Sequence, residues 1–341
     1  MTALPVTRPP LRYFGGKWLL APWIIAHFPP HRVYVEPFGG GASVLLRKAP
    51  AYAEYYGDLD EGVVEFFEVL RDQPGELERL LRFTPFARVE FERAYAPADT
   101  PLERARRLVI RSIMGFGGDG ATSTYRTGFR ATSNRSGTTP AHDWKNYPDA
   151  IHAMAERLQG VVLESKPAPE LMAAHDGPET LHYVNPPYLP ETRARLARTR
   201  SVDAEGKDTY RGSYRFEMTP EQHGALLECL LGLQGGVVLS GYPSALYDGV
   251  LCSQGWRRVQ RQARADGARA RTEVLWINPR CREMAAFGPL FGDPAAPAAQ
   301  PPQGEQPPPG SSPGQAPRGE PCEPASEDPT ERTRGRTSDH G

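Results

Sequence analysis

Short apolar runs recur along the chain, each closed by glycine, proline or an acidic residue. They are Val33-Tyr-Val-Glu36, Tyr52 to Gly57, Gly160 to Glu164, Leu181-His-Tyr-Val184, Gly236-Val-Val-Leu-Ser240-Gly-Tyr and Thr272-Glu-Val-Leu-Trp276-Ile-Asn. Runs this short read as buried strands. Between them apolar residues recur at helical spacing: over Trp18 to Phe28, from Asp60 to about Gly115 with breaks near Gln73-Pro-Gly75 and Ala96-Pro97, around Asp149 to Leu158, and from Thr219 to about Leu233. Thr219-Pro-Glu-Gln222 is a helix start with a capping-box pattern. Strands that alternate with helices predict an α/β fold built on an open sheet. The sequence contains no internal repeat.

The first strand runs into Pro37-Phe38-Gly39-Gly40-Gly41-Ala42-Ser43, a glycine turn followed by the expected start of a helix. Glycines there remove the side chains that would keep a ligand off the backbone, and a helix start offers free N–H groups. The second strand ends in Asp58-Leu-Asp60. An acidic residue about 20 positions beyond such a turn is placed to hold ribose hydroxyls, and the alternative for either aspartate is a helix cap. The spacing assigns Asp58 to a ribose and Asp60 to the cap. Upstream, Tyr13-Phe-Gly15-Gly16-Lys17 brings a positive charge beside a backbone that a ligand can approach; a tight turn with a solvated lysine is the plainer reading.

Asn185-Pro186-Pro187-Tyr188 closes the Leu181 strand, because two prolines cannot extend a sheet ladder. Asn185 therefore stands at the carboxyl end of a strand, the edge where open α/β sheets bind ligands. The Asn185 amide oxygen and the Pro186 carbonyl can both accept from one exocyclic amine while Tyr188 stacks on the ring that bears it. A strand followed by a polyproline turn is the plainer alternative.

Composition refines this picture. The chain has 341 residues and a formal charge of −1, but its last 49 residues hold 12 prolines, no aromatic residue and 8 acidic against 4 basic side chains. That is the composition of a disordered tail. Residues 1–292 consequently carry 36 basic against 33 acidic groups, with the basic ones clustered. Seven arginines lie between positions 103 and 135, interleaved with Phe116, Tyr125 and Phe129 on a glycine-rich stretch, a pattern suited to a nucleic-acid backbone and base edges. Six more lie between 256 and 271. Residues 189 to 215 are polar and arginine-rich and read as a loop over the site. Four widely spaced cysteines without a C-x-x-C pair argue against a zinc site. No apolar stretch is long enough to span a membrane, so a soluble, cytoplasmic protein is expected.

Taken together and in this order, Tyr13-x-Gly15-Gly16-Lys17, Glu36-Pro-Phe-Gly-Gly-Gly-Ala42, Asp58 and Asn185-Pro-Pro-Tyr188 resemble the D12, or Dam-like, class of adenine-specific DNA N6-methyltransferases. The resemblance covers nearly all of residues 10 to 280. It implies a Rossmann-like, S-adenosylmethionine-dependent methyltransferase sheet with an inserted helical DNA-recognition lobe. On that basis residues 10–72 and 149–290 form the catalytic domain, 73–148 the recognition lobe and 293–341 a Pro-rich tail. By similarity, Tyr13 and Lys17 contact S-adenosylmethionine, Phe38 and Gly40 shape its pocket, Asp58 holds its ribose, and Asn185 borders it. Asn185, Pro186 and Tyr188 hold the target adenine; Arg111, Tyr125, Arg126, Arg130 and Arg135 read the DNA. The implied partners are double-stranded DNA and, in a restriction-modification setting, a cognate endonuclease; no metal is implied. Asn185 departs from the aspartate most frequent in the class, and Ala42 from a further glycine. RNA or protein-amide methylation, cytosine N4 methylation and a non-catalytic DNA-binding scaffold are the competing functions.

Overall fold

The computed structural model describes residues 5–118, 120–121, 126–131, 138–192, 200–202, 208–210, 214–264 and 270–291. The expected apolar runs become strands β1 (Val33–Glu36), β2 (Ala53–Gly57), β3 (Val161–Glu164) and β4 (Thr180–Val184). Two short strands, β5 (Arg200–Val202) and β6 (Asp208–Tyr210), form an antiparallel ribbon of their own, followed by β7 (Gly236–Gly241), β8 (Arg257–Arg264) and β9 (Ala270–Ile277). Seven strands make one sheet in the order β3-β2-β1-β4-β7-β9-β8. The pairs β3-β2, β2-β1, β1-β4 and β4-β7 are parallel, and β9 runs antiparallel between β7 and β8.

Period-two alternation drives two apolar layers against this sheet. Tyr34, Leu181, Tyr183, Val238, Leu275 and Ile277 face one cluster, shared with Phe66, Phe67, Leu70, Val109, Ile110 and Met154 from the helices. Val35, Val184, Val237, Leu239, Val274 and Trp276 face the other, shared with Leu171, Leu226, Leu227 and Leu230. Both faces of the sheet are covered, which explains why its strands read as continuous apolar runs.

The helices are α1 (Ala21–Ile25), α2 (Glu61–Asp72), α3 (Pro74–Arg82), α4 (Arg88–Arg93), α5 (Pro101–Met114), α6 (Pro140–Lys145), α7 (Ile151–Leu158), α8 (Ala168–Ala174), α9 (Pro220–Gly232), a turn α10 (Ala245–Tyr247) and α11 (Pro279–Phe291). Helix α9 carries the expected capping box, with Thr219 accepting from the Gln222 amide and Gln222 reaching back to the Thr219 amide. Segment 73–148 supplies α3 to α6, and Leu77, Leu81, Phe91 and Leu108 join the same cluster as the sheet residue Tyr34. The residues around 292 and beyond, together with the polar stretches 193–199, 203–207 and 211–213, lie outside the described residues.

Two expected helices differ. The spacing over Trp18 to Phe28 yields only α1, because Pro22 has no amide to donate to a preceding carbonyl and so has to stand in the first turn. After the glycine turn the chain forms consecutive turns over 43–47 rather than a regular helix. Gly40 (φ 47°) and Ala42 (φ 49°) are both left-handed, and the Leu45 amide donates to the Glu36 carboxylate instead of to a carbonyl one turn back. Another difference is a gain: the basic stretch after Trp256 is β8, a sheet-edge strand whose arginines guard an exposed ladder. No helix among the described residues is long and apolar enough to cross a membrane.

Candidate active site

The strand order reverses between β1 and β4: from β1 the chain builds outward through β2 and β3, and β4 starts the other half. Val33 pairs with Thr180, Tyr34 with Leu181 and Val35 with His182. This register delivers Glu36-Pro-Phe38 and Asn185-Pro-Pro side by side at the carboxyl edge of the sheet, where open α/β sheets bind ligands. A cavity of about 220 Å³ opens there, lined by Tyr13, Lys17, Glu36, Phe38, Gly40, Asp58 and Asn185 among others. Every residue expected to touch the cofactor thus borders one cavity.

The glycine turn is held from three sides. Asp58 accepts the Gly40 amide through Oδ2 (2.8 Å) and the Asp60 amide through Oδ1 (2.8 Å). Tyr56 donates its hydroxyl to the Gly40 carbonyl at 2.8 Å. The Tyr13 ring lies against the turn so closely that a Cβ on Gly40 would stand 2.7 Å from its Cε1, and a Cβ on Gly39 would collide with the Tyr56 ring. Asp60 caps α2 by accepting the Gly62 amide at 3.1 Å and also pairs with Arg215 at 2.9 Å. The expected split of the two aspartates holds for the cap; Asp58 faces the cavity with both oxygens already braced by backbone amides. Burial raises its pKa to about 6, against the opposing pull of those amides. Burial likewise raises Glu36 to about 8, although Tyr34 donates to Glu36 Oε2 at 2.6 Å.

A second cluster lies beside Asn185. Tyr188 is buried, its ring edge-on to Tyr242 with centroids 4.4 Å apart, and Lys17 Nζ sits 4.7 Å from its centre. The Tyr188 hydroxyl makes a very short hydrogen bond to Glu273, a buried carboxylate on β9. Ser240, at the end of β7, donates to the same Glu273 oxygen at 2.9 Å. Asn185 Oδ1 lies 3.3 Å from both hydroxyls. Lys17 donates to the Gly15 carbonyl at 2.7 Å and stands 3.6 Å from Glu273, so its ammonium is turned toward the Tyr188 cluster. Burial lowers its pKa, and Glu273 opposes that shift. Glu273, Ser240 and Tyr242 were not expected from sequence; a lone carboxylate in the apolar run Thr272-Glu-Val-Leu-Trp-Ile was the available signal.

Tyr214 and Arg215 close the cavity from the far side. The Tyr214 ring meets Phe14 edge-on at 5.0 Å, and its hydroxyl fills the place where a Gly15 side chain would stand. Tyr214 and Arg215 are the end of the polar loop expected over the site, and they border the cavity with Phe216, Glu217 and Met218.

The arginine-rich segment divides by partner. Arg104 pairs with Glu65, Arg106 with Glu103 and Glu90, Arg107 with Glu103, and Arg130 with Asp143. Arg111 donates to the Ala94 carbonyl at 2.9 Å, and the guanidinium groups of Arg111 and Arg126 both approach the Tyr95 ring. Arg126 is exposed. Tyr125 and Arg135 lie outside the described residues. A groove of about 850 Å³, lined by Tyr95, Arg104, Arg107 and Arg111, meets the cavity at Asp60, Arg215 and Phe216.

A family model described as D12 class N6 adenine-specific DNA methyltransferase matches residues 13–209. That span runs from Tyr13 through the glycine turn and Asp58 to beyond Tyr188. No curated protein matches the chain. Among solved structures, an rRNA methylase from Streptococcus thermophilus aligns with 76% of this chain and 94% of its own at 7% identity and a TM-score of 0.28.

Proposed function

We propose, for a chain that belongs to the D12 class of N6 adenine-specific DNA methyltransferases, that the Asn185 cavity takes up an adenine flipped out of double-stranded DNA beside S-adenosylmethionine held at the glycine turn. The observation that carries this reading is the convergence of the β1 turn, Asp58, Asn185 and Pro187 on one cavity at the point where the strand order reverses, with Tyr188 buried directly behind Asn185.

The residues present suit the cofactor. Gly39, Gly40 and Gly41 line one wall, their missing side chains leaving room for the Tyr13 and Tyr56 rings, Asp58 offers a carboxylate to ribose hydroxyls, and Tyr13 and Phe38 supply aromatic surface. S-adenosylmethionine supplies a methyl group already activated on a sulfonium, so the protein chiefly has to align the amine with it and exclude water. Asn185 and the Pro186 carbonyl accept the two N6 hydrogens, which favours a pyramidal lone pair and stabilises the charge developing on nitrogen. Neutral Asn185 takes up no proton near neutral pH, so the departing proton goes to solvent. A base inside a duplex is out of reach, and stacking against Tyr188 returns roughly 1–3 kcal/mol of what flipping costs. Tyr188 is covered by Lys17 and Tyr242 here, so entry of the base requires Lys17 to move off its ring. Arg111 and Arg126, whose guanidinium groups both approach the Tyr95 ring, contact the DNA backbone, and Tyr125 and Arg135 belong to the same segment.

The test is to incubate the protein with labelled S-adenosylmethionine and unmethylated DNA, digest to nucleosides and identify the labelled one by mass spectrometry. Label in N6-methyladenine is expected; label in N4-methylcytosine, or only in RNA or protein, overturns the reading. Asn185→Ala is expected to lose methyl transfer and keep cofactor binding.

A further inference from the structure

The hydroxyls of Tyr188 and Ser240 each own one proton, and both lie closer to one acceptor, Glu273 Oε1, than to Asn185 Oδ1, so the carboxylate is the better taker of both protons. Lys17 lies 3.6 Å from that oxygen in the same buried pocket. With both protons committed, the two hydroxyl oxygens present only lone pairs to Asn185. Yet Asn185 turns Oδ1 toward them, 3.3 Å from each. An oxygen facing two proton-less oxygens is the weaker arrangement of an amide whose two ends have the same shape. A half-turn about Cβ–Cγ replaces Oδ1 by Nδ2, whose two hydrogens match the two waiting oxygens, and aims Oδ1 into the cavity that Asn185 lines.

We propose that Glu273 is a positioning residue for methyl transfer: by taking the protons of Tyr188 and Ser240, it orients the Asn185 amide with Nδ2 inward and Oδ1 toward the target amine. The inference rests on the reading of Asn185 as the acceptor of the N6 hydrogens, and adds what decides which end of the amide meets the substrate. A neutral side chain at 273 lets the hydroxyls donate to Oδ1 and holds the acceptor away from the amine. The same side chain that orients Asn185 also ties Tyr188 and Lys17 together, so base stacking and amide orientation answer to one residue.

The chain has four asparagines, at 134, 146, 185 and 278, so protein labelled with side-chain ¹⁵N-asparagine gives a sparse spectrum. It holds two internal standards: Asn278 is buried with Nδ2 donating to the Gly235 carbonyl at 2.9 Å, and Asn146 is exposed. Asn185→Ala identifies the Asn185 pair by its loss. In the wild-type enzyme the Asn185 NH₂ is expected to exchange with solvent slowly, as Asn278 does; exchange as fast as that of Asn146 overturns the proposal. In Glu273→Gln, exchange at Asn185 speeds up and single-turnover methyl transfer falls about 100-fold, while the cofactor dissociation constant stays within about threefold. A merely structural Glu273 would instead lose cofactor binding and melting temperature together and leave the Asn185 exchange rate unchanged. The wild-type measurement decides the matter even if the variant is unstable from stranding Lys17. Full activity in Asn185→Ala would remove the underlying reading of Asn185. An inactive Asn185→Ala beside a folded, fully active Glu273→Gln would remove the positioning role alone.

Discussion

The carboxylate of Asp58 accepts the amide of Gly40 at 2.8 Å, across 18 residues of chain. One side chain at the end of β2 therefore fixes the turn at the end of β1 and presents its charge to the same cavity. Burial raises the Asp58 pKa to about 6. Ribose hydroxyls donate better to the carboxylate than to the acid, so cofactor affinity is expected to rise as pH increases through about 6. Asp58→Asn should flatten that profile, and Asp58→Ala should weaken binding by about 1.5–3 kcal/mol through loss of a charged acceptor. Calorimetric titration of the cofactor at several pH values checks this; a wild-type profile without an inflection near 6 removes the ribose role.

Glu36 gives a stability signature of opposite use. Its folded pKa, about 8, lies above the ordinary carboxylate value because burial penalises the charge more than Tyr34 and the Leu45 amide relieve it. The native state then holds a proton that the unfolded chain releases near pH 4.5, so the contribution is fully present below that value and is lost as pH rises through about 8. Glu36→Gln keeps the neutral shape and removes the linkage. The stability of the wild type relative to Glu36→Gln should fall steadily from about pH 5 to 8, as read by denaturant unfolding.

Much of this arrangement is legible in the chain because it is local. The strands β1, β2, β4 and β7 announce themselves as apolar runs with abrupt ends, the capping box of α9 is four residues long, and the Gly40 to Asp58 spacing needs only one turn and one strand. The Glu273 cluster is not local: Lys17, Asn185, Ser240 and Glu273 come from four separate segments, and only sheet order lines up β4, β7 and β9 in succession. The basic stretch after Trp256 conceals β8 because an edge strand carries charge where a central one carries valine. The helix expected after the glycine turn fails for a tertiary reason, the capture of the Leu45 amide by Glu36.

Ala42 tests the turn itself. It is fully buried at φ 49°, where a Cβ costs roughly 1–2 kcal/mol, while Ala42→Gly forfeits a buried methyl worth about 0.8 kcal/mol and adds unfolded-state freedom worth about 0.4–1 kcal/mol. These terms nearly cancel, so Ala42→Gly should melt within a few degrees of the wild type and methylate normally. Gly40→Ala has no such relief, since its Cβ would stand 2.7 Å from the Tyr13 ring at φ 47°. It is expected to displace Tyr13 and weaken cofactor binding at least tenfold, or about 1.4 kcal/mol. Equal behaviour of the two variants in melting and cofactor titration would contradict this account of the turn.

The arginines separate by what they already hold. Arg130 pairs with Asp143 at 2.8 Å and ties the start of α6 to the strand-like stretch at Phe129, whereas Arg126 is exposed and rests its guanidinium 5.4 Å from the Tyr95 ring. A guanidinium that leaves water only for an aromatic face remains available to a phosphate, and neutralising one phosphate contributes a slope of about 0.9 in log affinity against log salt. Arg126→Ala should therefore lower affinity for duplex DNA and reduce that slope by about one. Arg130→Ala should chiefly lower the melting temperature, with a smaller change in slope because its charge is already matched. Fluorescence anisotropy over a salt series, run beside thermal melts of both variants, separates the two. A full unit of slope lost in Arg130→Ala and none in Arg126→Ala would place the phosphate contact on the Asp143 side of the segment.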